Sequence, residues 1–299
     1  MQTLYAGDSL SHELKPGEPQ KTLIEKIDLT RNLFGYLIYF LIETGRYAET
    51  DARQKASKHL PTTEDLNVNT KISGNEIIWK TLENKSFPQA VKSGKYEQLI
   101  NTELVKKIYN ELIQTEEYKE YTELQSREKK SERKILEYIF NNLMLPNEEF
   151  ISHIEENFIN WDDDAELQQT MVMNYLSKNI NVSFLDILSK EKWEFAKDLL
   201  RTVIEKSDFT LDLIKPKLKN WDADRIAALD LIILQMGVCE FLFFDTIPTK
   251  VTINEYIDLA KAYSTPQSGQ FINGLLDNIH KELKDQDKII KKNFKNTIH

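Results

Sequence analysis

Five histidines, at positions 12, 59, 153, 280 and 299, and a single cysteine, Cys239, are the residues best suited to metal or nucleophilic chemistry in this 299-residue chain. Their spacing supports neither. There is no His-x-x-x-His pair and no Cys/His cluster, and one cysteine cannot form an internal disulfide or a multi-cysteine metal site. Asp162-Asp163-Asp164 could attract a cation, but it lacks the glycine and the terminal glutamate of a calcium loop. The run is read instead as helix capping, an Asp accepting free N–H groups of the next helix. Glycine-rich phosphate loops are missing, since Gly237 and Gly274 stand alone. No nucleophile is paired with a base, so no catalytic site, metal or cofactor is predicted. Cys239 sits in an apolar run and reads as a buried thiol.

The residues that suit binding lie near the C-terminal end. Lys215-Pro-Lys-Leu-Lys219 puts three cations in five positions close to a helix C-terminus, where positive charge also suits the helix dipole. Lys250 opens a later helix, where a cation is mildly unfavourable to the dipole and a phosphate contact becomes attractive. Phe271 begins the last helix behind Ser268, its expected N-cap. An aromatic there is either core or, if exposed, a platform for an unpaired base. The N–H groups of that helix start also suit a phosphate.

These residues need helices to position them. Nine glycines and eight prolines are too few for the frequent turns of a β protein, and the apolar periodicity is helical almost throughout. Residues 1–9 read as the end of a helix, 10–20 as a loop and 21–58 as a long helix with Leu23, Ile27, Phe34, Leu37, Ile38 and Leu41 inward. Residues 61–73 are polar and irregular. Residues 95–145 hold two amphipathic helices, and the second is stopped by Pro146. Between them Glu116 to Arg133 is densely charged and reads as a solvated helix end or connector. Further helices are predicted near 164–179, 183–188, 191–206, 209–219, 223–244, 250–263 and 268–284. Gly274 inside the last one is expected to permit close helix contact. Phe158-Ile-Asn-Trp-Asp-Asp-Asp164 recurs as Leu218-Lys-Asn-Trp-Asp-Ala-Asp224, which reads as repeated helix-hairpin chemistry rather than a solenoid. Residues 288–299 are basic and polar and expected to fray.

The net charge is −9, but unevenly spread. Residues 192–299 hold 16 Lys and Arg against 16 Asp and Glu, leaving 23 against 32 in the first 191. The acidic excess therefore lies in the first two thirds, and the C-terminal third can carry a local basic face. The longest apolar runs, 33–42 and 227–234, are too short to span a bilayer. With no positively charged leader at Met1-Gln-Thr-Leu-Tyr, a cytoplasmic location and no membrane partner are expected.

Three blocks together resemble the NusB family of bacterial transcription antitermination factors. They are Lys250-Val-Thr-Ile-Asn-Glu-Tyr-Ile-Asp-Leu-Ala-Lys261, Phe271-Ile-Asn-Gly-Leu-Leu-Asp277 and Asp230-Leu-Ile-Ile-Leu-Gln-Met-Gly-Val-Cys-Glu240. The family's usual arginine and tyrosine in the last block are Gln235 and Cys239 here. The resemblance covers about residues 192–283, with a fragment at 1–9. It implies an all-α fold of NusB-like helical bundles, with residues 1–14 as the remnant of the first core helix and 191–285 as the core. Residues 15–190 are then a helical insertion, as in enlarged NusB-type proteins, and 286–299 a flexible basic tail. It further implies a non-enzymatic factor that binds boxA-like single-stranded RNA with the ribosomal protein NusE, within the RNA polymerase antitermination complex that transcribes ribosomal RNA genes. Carried over by position, Tyr5, Lys217, Lys219, Lys250, Ser268, Gln270 and Phe271 fall on the RNA side and Asp230 on the partner-contacting helix. The family's arginine-rich arm precedes the Gln-Thr-Leu-Tyr-like segment, and this chain opens inside that helix. A helical protein-interaction scaffold, or an accessory subunit of an RNA-modifying enzyme, are the alternative readings.

Overall fold

The computed structural model describes residues 1–9, 17–178, 182–218 and 226–292. Among them every regular element is helical, so the all-α expectation holds. In chain order these are α1 (Gln2–Ser9), α2 (Glu18–Ala56), α3 (Thr63–Leu66), α4 (Glu76–Glu83), α5 (Phe87–Gly94), α6 (Tyr96–Leu99), α7 (Thr102–Leu112), α8 (Glu116–Glu123), α9 (Lys129–Tyr138), α10 (Glu148–Asn157), α11 (Trp161–Lys178), α12 (Lys190–Glu205), α13 (Ser207–Ile214), α14 (Ala228–Phe243), α15 (Thr249–Tyr263) and α16 (Ser268–Asp285). Lys71–Gly74 and Lys215–Leu218 form 3₁₀ turns, and Ile139–Met144 is a π turn. The chain divides into two compact units, one of residues 27–187 and one of residues 1–26 with 188–299.

The unit of residues 27–187 is built around α2. A helix that is apolar on every side must be surrounded, and Leu33, Tyr36, Leu37, Phe40 and Leu41 are all fully buried. Phe34 stacks on Phe184 at 5.7 Å between ring centroids, and Phe40 meets Phe150 edge-on at 4.9 Å. The shorter helices start where a polar side chain accepts an early N–H group: Asn101 from Leu104, Thr115 from Tyr118 and Asn147 from Phe150.

Several sequence readings in this unit are corrected. The helix expected at 183–188 is a bend. Ser183 Oγ accepts the N–H groups of Leu185 and Asp186 at 3.2 Å, a local turn that competes with helix formation. The segment 116–133 is not merely a solvated connector, because Tyr118, Tyr121 and Glu132 are buried. Asp164 lies inside the first turn of α11 and serves a tertiary contact, accepting from Thr30 Oγ1 at 2.6 Å and Asn160 Nδ2 at 2.7 Å. The second copy of the Asn-Trp repeat falls largely in residues 219–225, outside the described residues.

In the other unit α14 is the central helix. Ile233, Leu234, Val238, Cys239 and Phe241 are fully buried, enclosed by Leu199 and Val203 of α12, Ile214 of α13, Tyr256 and Ala260 of α15, and Ile272 and Leu276 of α16. The thiol of Cys239 is pushed up to about 12 by that burial, which matches an inert core residue. Helix α1 lies against α14. The helices predicted at 191–206, 250–263 and 268–284 are α12, α15 and α16 within a residue or two.

Gly274 does not mediate close contact: a Cβ there would meet nothing within 4 Å. The tight approach is at Gly237 of α14, where a Cβ would lie 2.9 Å from Leu276 Cδ2. The first part of the basic tail is tied down rather than loose. Lys291 Nζ donates to the carbonyls of Glu240 and Phe244 at 2.8 and 2.7 Å, and Lys292 pairs with Asp245 at 2.8 Å. A lysine on the last carbonyls of α14 satisfies groups the helix leaves open and suits its dipole. Residues 293–299 lie outside the described residues.

Candidate nucleic-acid interface

Helices α15 and α16 form an antiparallel hairpin joined by residues 264–267. The start of α16 is beside the end of α15, since a Cβ at Gly269 would meet Lys261 Cγ at 2.9 Å. From Lys250 to Tyr263 the helix rises roughly 20 Å. That length decides how the sequence-predicted residues are grouped.

At the connecting end sit Ser268, Gln270, Phe271 and, through a hydrogen bond, Asp230. Ser268 is the first residue of α16 rather than its N-cap, which is Gln267. It is 2% exposed. Its hydroxyl donates to Asp230 Oδ2 at 2.8 Å and accepts the N–H of Thr265 at 3.2 Å, so it closes the hairpin turn and fastens α16 to α14. In this geometry Ser268 positions the helix start instead of meeting a ligand. Phe271 is 8% exposed and belongs to the core cluster, so a base does not stack on it as it stands. Gln270 is exposed. Asp230 is itself buried, and its Oδ1 has no hydrogen-bond partner.

Toward the other end lie Lys250 and Lys217. Lys250 is exposed in the first turn of α15 and makes no ion pair among the described residues. Lys217, in the 3₁₀ turn after α13, is partly buried and paired with Glu282 near the end of α16. Lys217 holds the Glu282 carboxyl below its usual range. The charge of Lys217 is thereby met inside the protein, while the neighbouring Lys215 is exposed. Tyr5 is 45% exposed on α1. Lys219 lies outside the described residues. The described candidates on α15, α16 and the adjoining 3₁₀ turn therefore fall into two groups toward opposite ends of the hairpin, not one patch.

Sequence reasoning missed the polar residue that ties α15 to α14. Glu240 is buried on α14, its Oε1 accepting from Thr252 Oγ1 at 2.6 Å and its Oε2 from Tyr256 OH at 2.9 Å. Burial, and then the Glu240 charge, push the Tyr256 phenol well up. A lone glutamate at the end of an otherwise apolar stretch was the available signal. Gln235, in place of the family's arginine, donates to Ser207 and Thr210 and locks α13 to α14.

The fold and these helix junctions define an all-helical bundle packed around α14. Residues 156–281 match the model of the NusB family. Transcription antitermination protein NusB of Finegoldia magna is 45% identical over 94 residues, 31% of this chain and 69% of that protein. The Geobacter sulfurreducens protein of the same name is 46% identical over 92 residues, 31% of this chain and 67% of the relative, and that of Salinibacter ruber 40% over 98 residues, 33% and 61%. The chain belongs to the NusB family, and the relatives match about a third of it. A solved structure of T. maritima NusB, 29% identical, covers 43% of this chain and 86% of that one at a TM-score of 0.32. Among the described residues no helix is long and apolar enough to cross a membrane.

Proposed function

We propose that the chain is a transcription antitermination factor that binds boxA-type single-stranded RNA together with a NusE-type ribosomal protein. The observation that carries this reading is Lys250. It is an exposed cation in the first turn of α15, where the helix dipole disfavours it, with no carboxylate partner among the described residues. A residue kept against its own helix suits an external anion, and it lies within the stretch that matches the family. An RNA strand at the stacked spacing of roughly 3.4 Å needs about six nucleotides to run the 20 Å from Lys250 to Gln270. Lys215 and Lys217 then flank one end of that path, and Tyr5 offers a ring to an unpaired base. Phe271 and Ser268 act behind the surface, by holding the start of α16. Asp230 acts in the same way on α14, the helix assigned to the NusE-type partner.

The test is fluorescence anisotropy with a labelled boxA-type RNA across a salt series, with and without the ribosomal protein. Affinity should fall with salt and rise when the protein is added. Lys250→Ala should weaken binding and flatten the log–log salt slope by about 0.7, the loss of one phosphate contact on a single strand. If neither RNA nor the ribosomal protein binds, alone or together, the reading fails. Burial of Phe271 and neutralisation of Lys217 favour a second reading, a scaffold that binds protein alone; capture of the ribosomal protein with no RNA dependence would select it.

A further inference from the structure

The unit of residues 27–187 carries an open cleft of about 560 Å³ between α8, α9 and the π turn. Its floor is apolar: Tyr121 and Ile135 at the bottom, with Leu124, Tyr138 and Met173 toward the rim. Leu124 is 41% exposed. The two walls carry opposite charge. Glu117 and Glu120, one turn apart on α8, make one wall; Lys130 and Lys134, one turn apart on α9, make the other. Glu120, Lys130 and Lys134 form no ion pair among the described residues, although long side chains of opposite sign border the same cleft. Of the other carboxylates on the rim, Glu137 is neutralised by Arg133 at 3.3 Å, and Glu128 stands at the mouth where α9 begins.

The cleft is held open by its own framework. Lys71 Nζ donates to the carbonyls of Tyr121 and Leu124 at 2.6 and 2.5 Å, fixing the end of α8. Buried Glu132 accepts from Tyr121 OH at 2.9 Å and from the N–H of Glu76 at 2.7 Å, and Arg127 reaches it at 3.3 Å. These bonds set the connection between α8 and α9, so the walls cannot collapse onto each other without breaking them. At the far end the π turn, closed by the Leu145 N–H on the Phe140 carbonyl at 3.0 Å, brings the adjacent Asn141 and Asn142 onto the same lining. Such turns recur at functional sites.

We propose that this cleft is a docking groove for one amphipathic helix of a partner protein, with an apolar ridge flanked by basic residues on one edge and acidic residues on the other. From Lys130 on α9 to Asn141 in the π turn the chain rises roughly 17 Å, or about three turns of a bound helix. The apolar floor takes the ridge, the α8 wall pairs with the basic edge and the α9 wall with the acidic edge. The acidic wall disfavours RNA, so this surface is separate in kind from the lysine-bearing one. Because turning the helix end for end exchanges its edges, the charge pattern sets the direction in which it lies.

Three labelled synthetic helices test this against the full chain by fluorescence anisotropy. They share one leucine ridge and carry flanks of Lys/Glu, Lys/Lys or Glu/Glu. The mixed peptide should bind about tenfold more tightly than either uniform one, the effect of two surface charge pairs turned from attraction to repulsion. The Lys130→Glu, Lys134→Glu double variant should move the preference to the Lys/Lys peptide. Leu124→Asp, at an exposed position that leaves the core intact, should weaken all three, and circular dichroism confirms the fold of each variant. Equal binding of the three peptides, a wild-type preference for Lys/Lys, or indifference to Leu124→Asp would each overturn the proposal.

Discussion

At the scale of single residues, two glycines separate propensity from packing. Gly274 sits in the interior of α16 on an exposed face with open space where a Cβ would stand. Gly274→Ala is expected to stabilise the protein by about 1 kcal/mol, because glycine gives up more backbone freedom on folding than alanine. Gly237→Ala should act in the opposite sense, costing about 1–3 kcal/mol, since the new methyl presses on Leu276 in a filled core. Denaturant midpoints for the two variants check both signs. The pair also shows where sequence reading stops. A glycine inside a helical pattern marks either a helix contact or a site with no packing demand, and only the neighbouring helix decides. Ser268 teaches the same lesson. Its position at a helix start was legible, but its hydroxyl is turned inward to Asp230, which depends on how α14 lies under the turn.

At the scale of elements, the strongest constraint is a polar one inside an apolar junction. Glu240 holds two hydroxyls of α15, and Glu240→Ala leaves Thr252 Oγ1 and Tyr256 OH buried without their acceptor. A loss of about 3 kcal/mol is expected, because the unmade hydrogen bonds of desolvated groups cost more than the bonds contribute. Glu240→Gln keeps one acceptor oxygen and sets an N–H donor against the other hydroxyl, which can turn to accept it, so it should lose less. Thermal melts of the two variants, compared with wild type, give the ranking.

A second junction titrates. Tyr36 OH lies 2.5 Å from His153 Nε2, between α2 and α10, and burial holds the imidazole below its ordinary value of 6.5. The folded state thus favours neutral His153. Below pH 6.5 the unfolded chain takes up a proton that the folded chain resists, so this contribution is complete above that pH and is lost as pH falls through it. Melting temperature should drop between pH 7.5 and 5.5 by more in wild type than in His153→Gln. Equal drops would remove His153 from the account. Helix positions were largely legible, because the 3.6-residue period of buried positions survives in any context. The cleft between α8 and α9 was not. Tyr118 and Tyr121, three residues apart in a run of charges, were the only local sign of a buried face, and charge density outweighed it.

At the scale of the whole molecule, the two units own separate hydrophobic cores. One is centred on α2 and the other on α14, and no described residue is common to the two clusters. A core that is contiguous only within a unit makes folding cooperative only within it. Unfolding should therefore proceed in two steps rather than one. Leu276 is fully buried in the α14 core, and Leu276→Ala should cost about 2–5 kcal/mol there. The cost should appear in one transition alone. Hydrogen exchange read by mass spectrometry distinguishes the units by peptide: amides of α14, α15 and α16 should lose protection in Leu276→Ala, and those of α2, α7 and α11 should keep it. Phe150→Ala, in the α2 core, should give the reverse pattern. A variant that lowers protection equally in both sets would mean the cores unfold as one. The charge distribution divides along similar lines, with the acidic excess in the first 191 residues. A partner helix bound in the α8–α9 cleft and an RNA held along α15 and α16 should then respond independently to substitutions at the other site.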